Sequence, residues 1–172
     1  MRALVVLYKL ILAAFLLLSV RASANYTWAM LGVDGLTCSQ CSRSVEMSIR
    51  KLSFVQDVEM DLANTEAKIT FKLAAKVDIQ KIAQAVYDAG FSVRYLSAGF
   101  VFDNTGVVNN TCFPFEGNQL QFIKVSPQVL KGEVTLKFIG KKFISAKEYK
   151  KWQSSLIPVC DKTKGEILYV TL

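Results

Sequence analysis

Between Thr27 and Leu96 the apolar residues switch between two spacings, and the order of the switches admits few folds. Ala29, Leu31 and Val33 alternate, which predicts a strand over 27–33 with one buried face. Val45, Ile49 and Leu52 then recur at i, i+4 and i+7, the inner stripe of a helix over 40–52. Period two returns over 55–61 and again over 67–73. There Ala67, Ile69, Phe71 and Leu73 face away from Lys68, Thr70 and Lys72. Leu62-Ala63-Asn64-Thr65 between them reads as a hairpin turn, with Asn64 expected in the left-handed conformation. Asp78 caps a second helix striped by Ile79, Ile82, Ala83 and Val86; Gly90 ends it, and 91–96 is a fourth strand.

The resulting order, β-α-β-β-α-β, is that of a ferredoxin-like unit in an α+β chain. Ser97-Ala98-Gly99 is not a Pro/Ser-rich linker, so a second unit is expected to abut the first, with domains over 25–97 and 98–172. Strands are expected over 100–103, 120–125, 131–139 and 167–172, with a polar turn region over 104–110. Ser145 and Glu148 form a capping box that opens a helix running to Leu156, and Pro158 stops it. This is a small β-rich domain of unknown type with one helix, expected as a partly open barrel.

The first residues bear on compartment. Arg2 and Lys9 precede an apolar run over 10–20, and Ala22-Ser23-Ala24 is a small-x-small cleavage pattern. Lys9 interrupts the run short of the roughly 20 apolar residues a membrane span needs. Residues 1–24 are therefore expected to be a signal peptide cleaved after Ala24, and the protein to be exported to the periplasm or another extracytoplasmic space. Membrane contact would come only through this segment if uncleaved. Its removal takes away Arg2, Lys9 and Arg21 and no acids, lowering the formal charge from +7 to +4.

That charge is dispersed and does not argue for nucleic acid. Lys141-Lys142 and Lys150-Lys151 read as solvated faces of a turn and a helix. The chain contains no histidine, which removes His-based catalysis and His-held metals. Nor is there a nucleophile triad, a telling carboxylate pair or a nucleotide loop, so no enzyme is expected.

The chemistry concentrates in Gly35-Leu36-Thr37-Cys38-Ser39-Gln40-Cys41, where the first strand gives way to the first helix. Two thiols at a helix N-terminus meet unpaired N–H groups and the positive end of the dipole, which favour thiolate. Thiolates select Cu(I), Hg(II) and similar ions over hard cations, and two ligands fall short of the four of a stable zinc site. The same pair is also consistent with a redox couple or a plain disulfide. Met30, Met47 and Met60 are too dispersed for a methionine copper site. Asn25-Tyr26-Thr27 and Asn109-Asn110-Thr111 match a short glycosylation pattern and are read as chance.

Residues 27–96 resemble the heavy-metal-associated domain shared by copper chaperones, N-terminal regions of P-type metal ATPases and periplasmic mercuric-ion binding proteins. The resemblance rests on Val33-Asp34-Gly35-Leu36-Thr37-Cys38-Ser39-Gln40-Cys41, on Val45 and Ile49, and on Asp88-Ala89-Gly90-Phe91. It implies Cys38 and Cys41 as ligands, supported by Thr37, by Leu36 where the family usually carries Met, and by Phe91 as an aromatic shield. The Gly-x-Thr-Cys pattern is closer to copper-type members, so Cu(I) is the first expectation and Hg(II) the second. It also implies metal exchange with a protein partner, a transporter or another metal-binding domain. A thiol-disulfide module, or an interaction module without physiological metal, are the alternative classes. Cys112 and Cys160 are expected to form a stabilising disulfide, the competing reading being that one of them adds a third thiolate.

Overall fold

The computed structural model describes residues 25–172; the export segment expected over 1–24 lies outside the described residues. Eight strands and three helices follow one another as β1 (Tyr26–Asp34), α1 (Ser39–Arg50), β2 (Val55–Asp61), β3 (Glu66–Phe71), α2 (Ile79–Asp88), β4 (Ser92–Val107), β5 (Cys112–Phe115), β6 (Asn118–Phe122), β7 (Gln128–Ile139), α3 (Ala146–Trp152) and β8 (Glu166–Thr171). All strands join one sheet in the order β2-β3-β1-β4-β7-β8-β6-β5. The β2-β3-β1-β4 part, with α1 and α2, is the ferredoxin-like unit.

Its core is the one the periodicities describe. Ala29, Leu31 and Val33 of β1 are fully buried, as are Val45 and Ile49 of α1 and Ile82, Ala83 and Val86 of α2. Ser48 Oγ donates to the Ala85 carbonyl at 2.8 Å and ties the two helices together. Asp78 caps α2 by accepting from the N–H groups of Gln80 and Lys81.

Four local expectations need correcting. Leu73 lies beyond β3 and is 98% exposed, because the chain turns away at Ala74 (φ 56°). In the β2–β3 turn it is Thr65, not Asn64, that has positive φ; Asn64 instead donates its side-chain amide to Asp61 at 2.8 Å. The capping box at α3 is half made. Ser145 Oγ accepts from the Glu148 N–H, but the Glu148 carboxylate turns to Lys151 and Trp152, and Ser145 N–H is taken by the Arg94 carbonyl. The helix ends at Trp152, and residues 153–155 continue it as a single 3-10 turn.

The largest difference concerns the junction of the two halves. The expected strands over 91–96 and 100–103 are one 16-residue strand, β4, and the 97/98 position falls in its interior. A ferredoxin-like unit alone would leave the outer edge of β4 unpaired, a template for pairing. Here β7 covers it, from Ser97 opposite Lys137 to Val107 opposite Gln128, with a register shift around Asn104 (φ 45°). Strands β8, β6 and β5 extend the sheet beyond β7 as an open layer rather than as a barrel.

The small residues at the junction serve packing. The Trp28 indole lies over Gly99, where any Cβ would meet its Cε2 at 2.7 Å and Thr27 Oγ1 at 2.6 Å. So placed, Trp28 Nε1 and Thr27 Oγ1 donate to the Glu133 carboxylate of β7 at 3.1 and 2.6 Å. These bonds, Thr27 first, hold the Glu133 carboxyl below its ordinary value.

One apolar core therefore runs through both halves, and Phe100 is its hinge. Its ring centroid lies 5.0 Å from Tyr26, 4.6 Å from Phe102, 5.9 Å from Phe113 and 4.8 Å from Phe115. A smaller cluster of Ile123, Ile139 and Ile144 packs on Tyr149, Trp152, Leu156 and Tyr169, so α3 lies on the opposite face of the sheet.

Cys112, at the start of the edge strand β5, is disulfide-bonded to Cys160, which is buried just before β8; the Cα atoms are 5.7 Å apart. The bridge pins the sheet edge to the 156–161 segment, which Gln121 also holds through bonds to Ile157 O and from Val159 N. Serine at both positions is expected to lower stability by about 2–4 kcal/mol. Urea unfolding under non-reducing conditions, compared with the native sequence, checks this.

Candidate metal centre

The Gly35–Cys41 loop has its geometry dictated by two local features. Gly35 has φ +86°, a left-handed conformation that turns the chain out of β1, and Phe91 Cδ1 lies 3.8 Å from where its Cβ would be. Leu36 is then buried beneath the loop while Thr37 and Cys38 are exposed above it. Cys38 is the N-cap of α1, with extended backbone (φ −145°, ψ 156°), and its Sγ accepts the Cys41 N–H at 3.1 Å. Ser42 closes the first turn on the Cys38 carbonyl through its N–H at 3.1 Å and its Oγ at 3.3 Å.

The two sulfurs differ in setting. Cys38 is exposed, whereas Cys41 is half-buried and packs against the core. They are joined by a disulfide, with Cα atoms 5.2 Å apart. The first turn of α1 contains no acidic residue, so nothing there offsets the positive end of the dipole that would stabilise their thiolates.

The other residues expected at the site lie on or against the loop that carries the pair. Leu36 supports the loop from below, Thr37 stands beside Cys38, and Phe91 packs against Gly35 from the α2–β4 side. Cys112 and Cys160 do not converge on it; they are bonded to each other. Among the described residues no group of three or more His, Cys, Asp or Glu side chains could hold a metal ion. Met30 and Met60 are half-buried on separate strands and Met47 is exposed on α1.

Sequence reasoning missed what the second half contributes. β1 and β7 both run antiparallel to β4, so their C-terminal ends lie together at the start of β4. The turn after β7 and the start of α3 therefore sit at the cysteine-loop end of the sheet. Ser145 N–H donates to the Arg94 carbonyl at 3.0 Å, and Tyr87 Oη donates to the Lys142 carbonyl at 3.4 Å. Between them opens a groove of about 570 Å³, walled by Asp34, Tyr87, Ser92 and Val93 on one side and by Lys141, Ile144, Tyr149 and Lys150 on the other. The lysines are solvated as expected, but they also rim this groove.

Known proteins resemble the first half of the chain. The family model for the heavy-metal-associated domain matches residues 31–92. A mercuric transport protein periplasmic component of Serratia marcescens is 35% identical over 82 residues, covering 45% of this chain and 89% of that protein. A probable copper-transporting ATPase, HMA5 of Arabidopsis thaliana, is 40% identical over 68 residues, 40% of this chain but 7% of the ATPase. The chain thus spans less than a tenth of the copper-transporting ATPases it matches. Among solved structures, oxidised MerP from Ralstonia metallidurans CH34 is 34% identical, covering 41% of this chain and 97% of that one, with a TM-score of 0.35.

Proposed function

This chain belongs to the heavy-metal-associated domain family, and from that premise we propose that it is an exported carrier of one soft metal ion, held between Cys38 Sγ and Cys41 Sγ. Cu(I) is the first candidate for its cargo and Hg(II) the second. The observation that carries the reading is the seating of both sulfurs on the first turn of α1, one as its N-cap. Backbone N–H groups and the positive end of a helix dipole favour anionic ligands at such a position, and two thiolates with no histidine in the chain and no carboxylate cluster among the described residues favour a thiophilic ion in low coordination.

Leu36 keeps the loop at a fixed height, Thr37 flanks the exposed cysteine, and Phe91 screens the pair from water on the α2 side. Transfer follows from the asymmetry of exposure. A partner's thiolate reaches the metal on the Cys38 side first, and a second displaces Cys41. That partner is a metal transporter or another metal-binding domain. Export is supported by the segment over 1–24 and by the periplasmic relatives; among the described residues no helix is long and apolar enough to cross a membrane. The Cys38–Cys41 disulfide supports a second reading, in which the pair cycles between dithiol and disulfide without physiological metal.

Titration of the reduced protein with Cu(I), Hg(II), Zn(II) and Ca(II), each against a chromophoric chelator, separates these. One Cu(I) or Hg(II) per chain is expected, with Zn(II) weaker for want of further ligands and no Ca(II). Absence of tight binding of any soft ion by the reduced protein would contradict the carrier reading.

A further inference from the structure

The segment between α3 and β8 pairs a fixed backbone with apolar side chains turned to water. Fully buried Gln121 fills all four hydrogen-bonding positions of its amide, three of them on this segment. Its Oε1 accepts from the N–H groups of Val159 at 3.0 Å and Cys160 at 3.5 Å. Its Nε2 donates to the Ile157 carbonyl at 2.8 Å and to Asn110 Oδ1 at 3.3 Å. Tyr169 Oη donates to the Leu156 carbonyl at 3.4 Å, and Cys160 is bonded to Cys112. Yet Ile157 and Val159 are 64% and 57% exposed, with exposed Pro158 between them. The backbone entropy of this segment is lost on folding, so docking those side chains against a partner costs little more.

The same bonds gather two more aliphatic side chains. Asn110 lies in the β4–β5 loop, where Val108 is 49% exposed. Val107 pairs with Gln128, and the next residue of β7, Val129, is 66% exposed. The other exposed large apolar residues among those described, Met47, Leu62, Leu73, Tyr87 and Leu172, stand at five separate places. Lys124 borders the loop: its N–H donates to Asn109 Oδ1 at 2.8 Å, and its Nζ lies 4.4 Å from the Trp152 ring centroid. Trp152 ends α3, whose last turn carries Lys150 and Lys151. Two acids stand near. Asp103 is exposed on β4, and Asp161 follows Cys160, its carboxylate bonded to Thr163 in a turn that carries Lys162 and Lys164.

We propose that this tip docks on the surface of an anionic lipid bilayer, with Val108, Val129, Ile157 and Val159 entering the boundary between headgroups and acyl chains and Lys124 and Lys151 meeting lipid phosphates. Branched aliphatics that project from turns suit a fluid boundary, which needs no complementary shape, better than a folded protein surface, which does. An indole beside a lysine ammonium completes the match, since such side chains bury an apolar body and keep a polar end in the headgroup layer. Lysines there gain from the negative potential of anionic lipid. β4 runs from Ser92, paired with Asp34 at the cysteine-loop end, to Val107 at the tip. Docking therefore leaves Cys38 and Cys41 free for a partner. This contact is additional to the one expected of residues 1–24 and holds whichever ion is carried.

The test is flotation of the chain from Asn25 to Leu172, which holds every described element, with two kinds of vesicle. One is phosphatidylcholine alone; the other is two parts phosphatidylcholine to one part phosphatidylglycerol. The chain should float with the mixed vesicles, far less with the neutral ones, and less as salt is raised. Ile157→Asp/Val159→Asp and Lys124→Glu/Lys151→Glu should each lower the partition coefficient roughly tenfold or more. All four side chains are exposed, so circular dichroism should stay native. Leu62→Asp, at an exposed leucine on the β2–β3 turn, should bind like the native chain. No flotation of the native chain with the mixed vesicles, equal flotation with both kinds, or native binding by either folded double variant overturns the proposal. So does self-association without lipid that Ile157→Asp/Val159→Asp abolishes, which would assign the tip to a second copy.

Discussion

Serine at both Cys38 and Cys41 is expected to reduce Cu(I) affinity by more than about a thousandfold, since both thiolates of the proposed site are removed. No other donor stands ready to replace them. The chain has no histidine, Cys112 and Cys160 are bonded to each other, and Met30, Met47 and Met60 sit on three different elements. Asp34 offers only a hard oxygen. The fold should survive, because serine is itself a preferred N-cap and can accept the Cys41-position N–H now bonded to Cys38 Sγ. Chelator competition reads the affinity and far-ultraviolet circular dichroism the fold. Retained affinity in a folded double variant would place the metal elsewhere.

Phe100→Ala is expected to destabilise the protein by about 3–5 kcal/mol, the usual cost of deleting a buried aromatic ring. Phe100 is fully buried, and its ring touches Tyr26 of β1 on one side and Phe113 and Phe115 of β5 on the other. The loss falls on a core shared by both halves, so unfolding should remain a single transition at lower denaturant. Trp28 and Trp152 report from opposite sides of the junction, and their fluorescence changes should coincide with the loss of circular dichroism. Two separated transitions would show that the halves melt independently despite their common sheet.

Much of the site was legible in the sequence because its signals are local. The Cys38-Ser39-Gln40-Cys41 spacing, the turn at Gly35 and the stripe of Val45 and Ile49 lie within fifteen residues and place both sulfurs at a helix start. Phe91 was legible only through the family resemblance, since its contact with Gly35 joins residues far apart in sequence.

The rest depended on long-range pairing. Ser97-Ala98-Gly99 reads as a break between strands, yet these residues are small because the Trp28 ring lies over Gly99 and Ala98 is buried against the core. Strand β5 was not expected, since Pro114 demotes Cys112–Phe115 as a strand; at a sheet edge the missing N–H costs nothing. The groove was invisible for a similar reason. Lys141 and Lys150 come beside Asp34 only through the register of β7 on β4 and the bond from Ser145 to Arg94.

The central claim is that the sulfurs of Cys38 and Cys41, and nothing else in the chain, hold the ion. X-ray absorption at the copper edge, on the reduced protein loaded with one equivalent of Cu(I), reads the coordination shell directly. The account predicts a shell of two sulfur neighbours that disappears in the Cys38→Ser/Cys41→Ser variant. A shell dominated by oxygen or nitrogen, or a sulfur shell that persists in the variant, would contradict it.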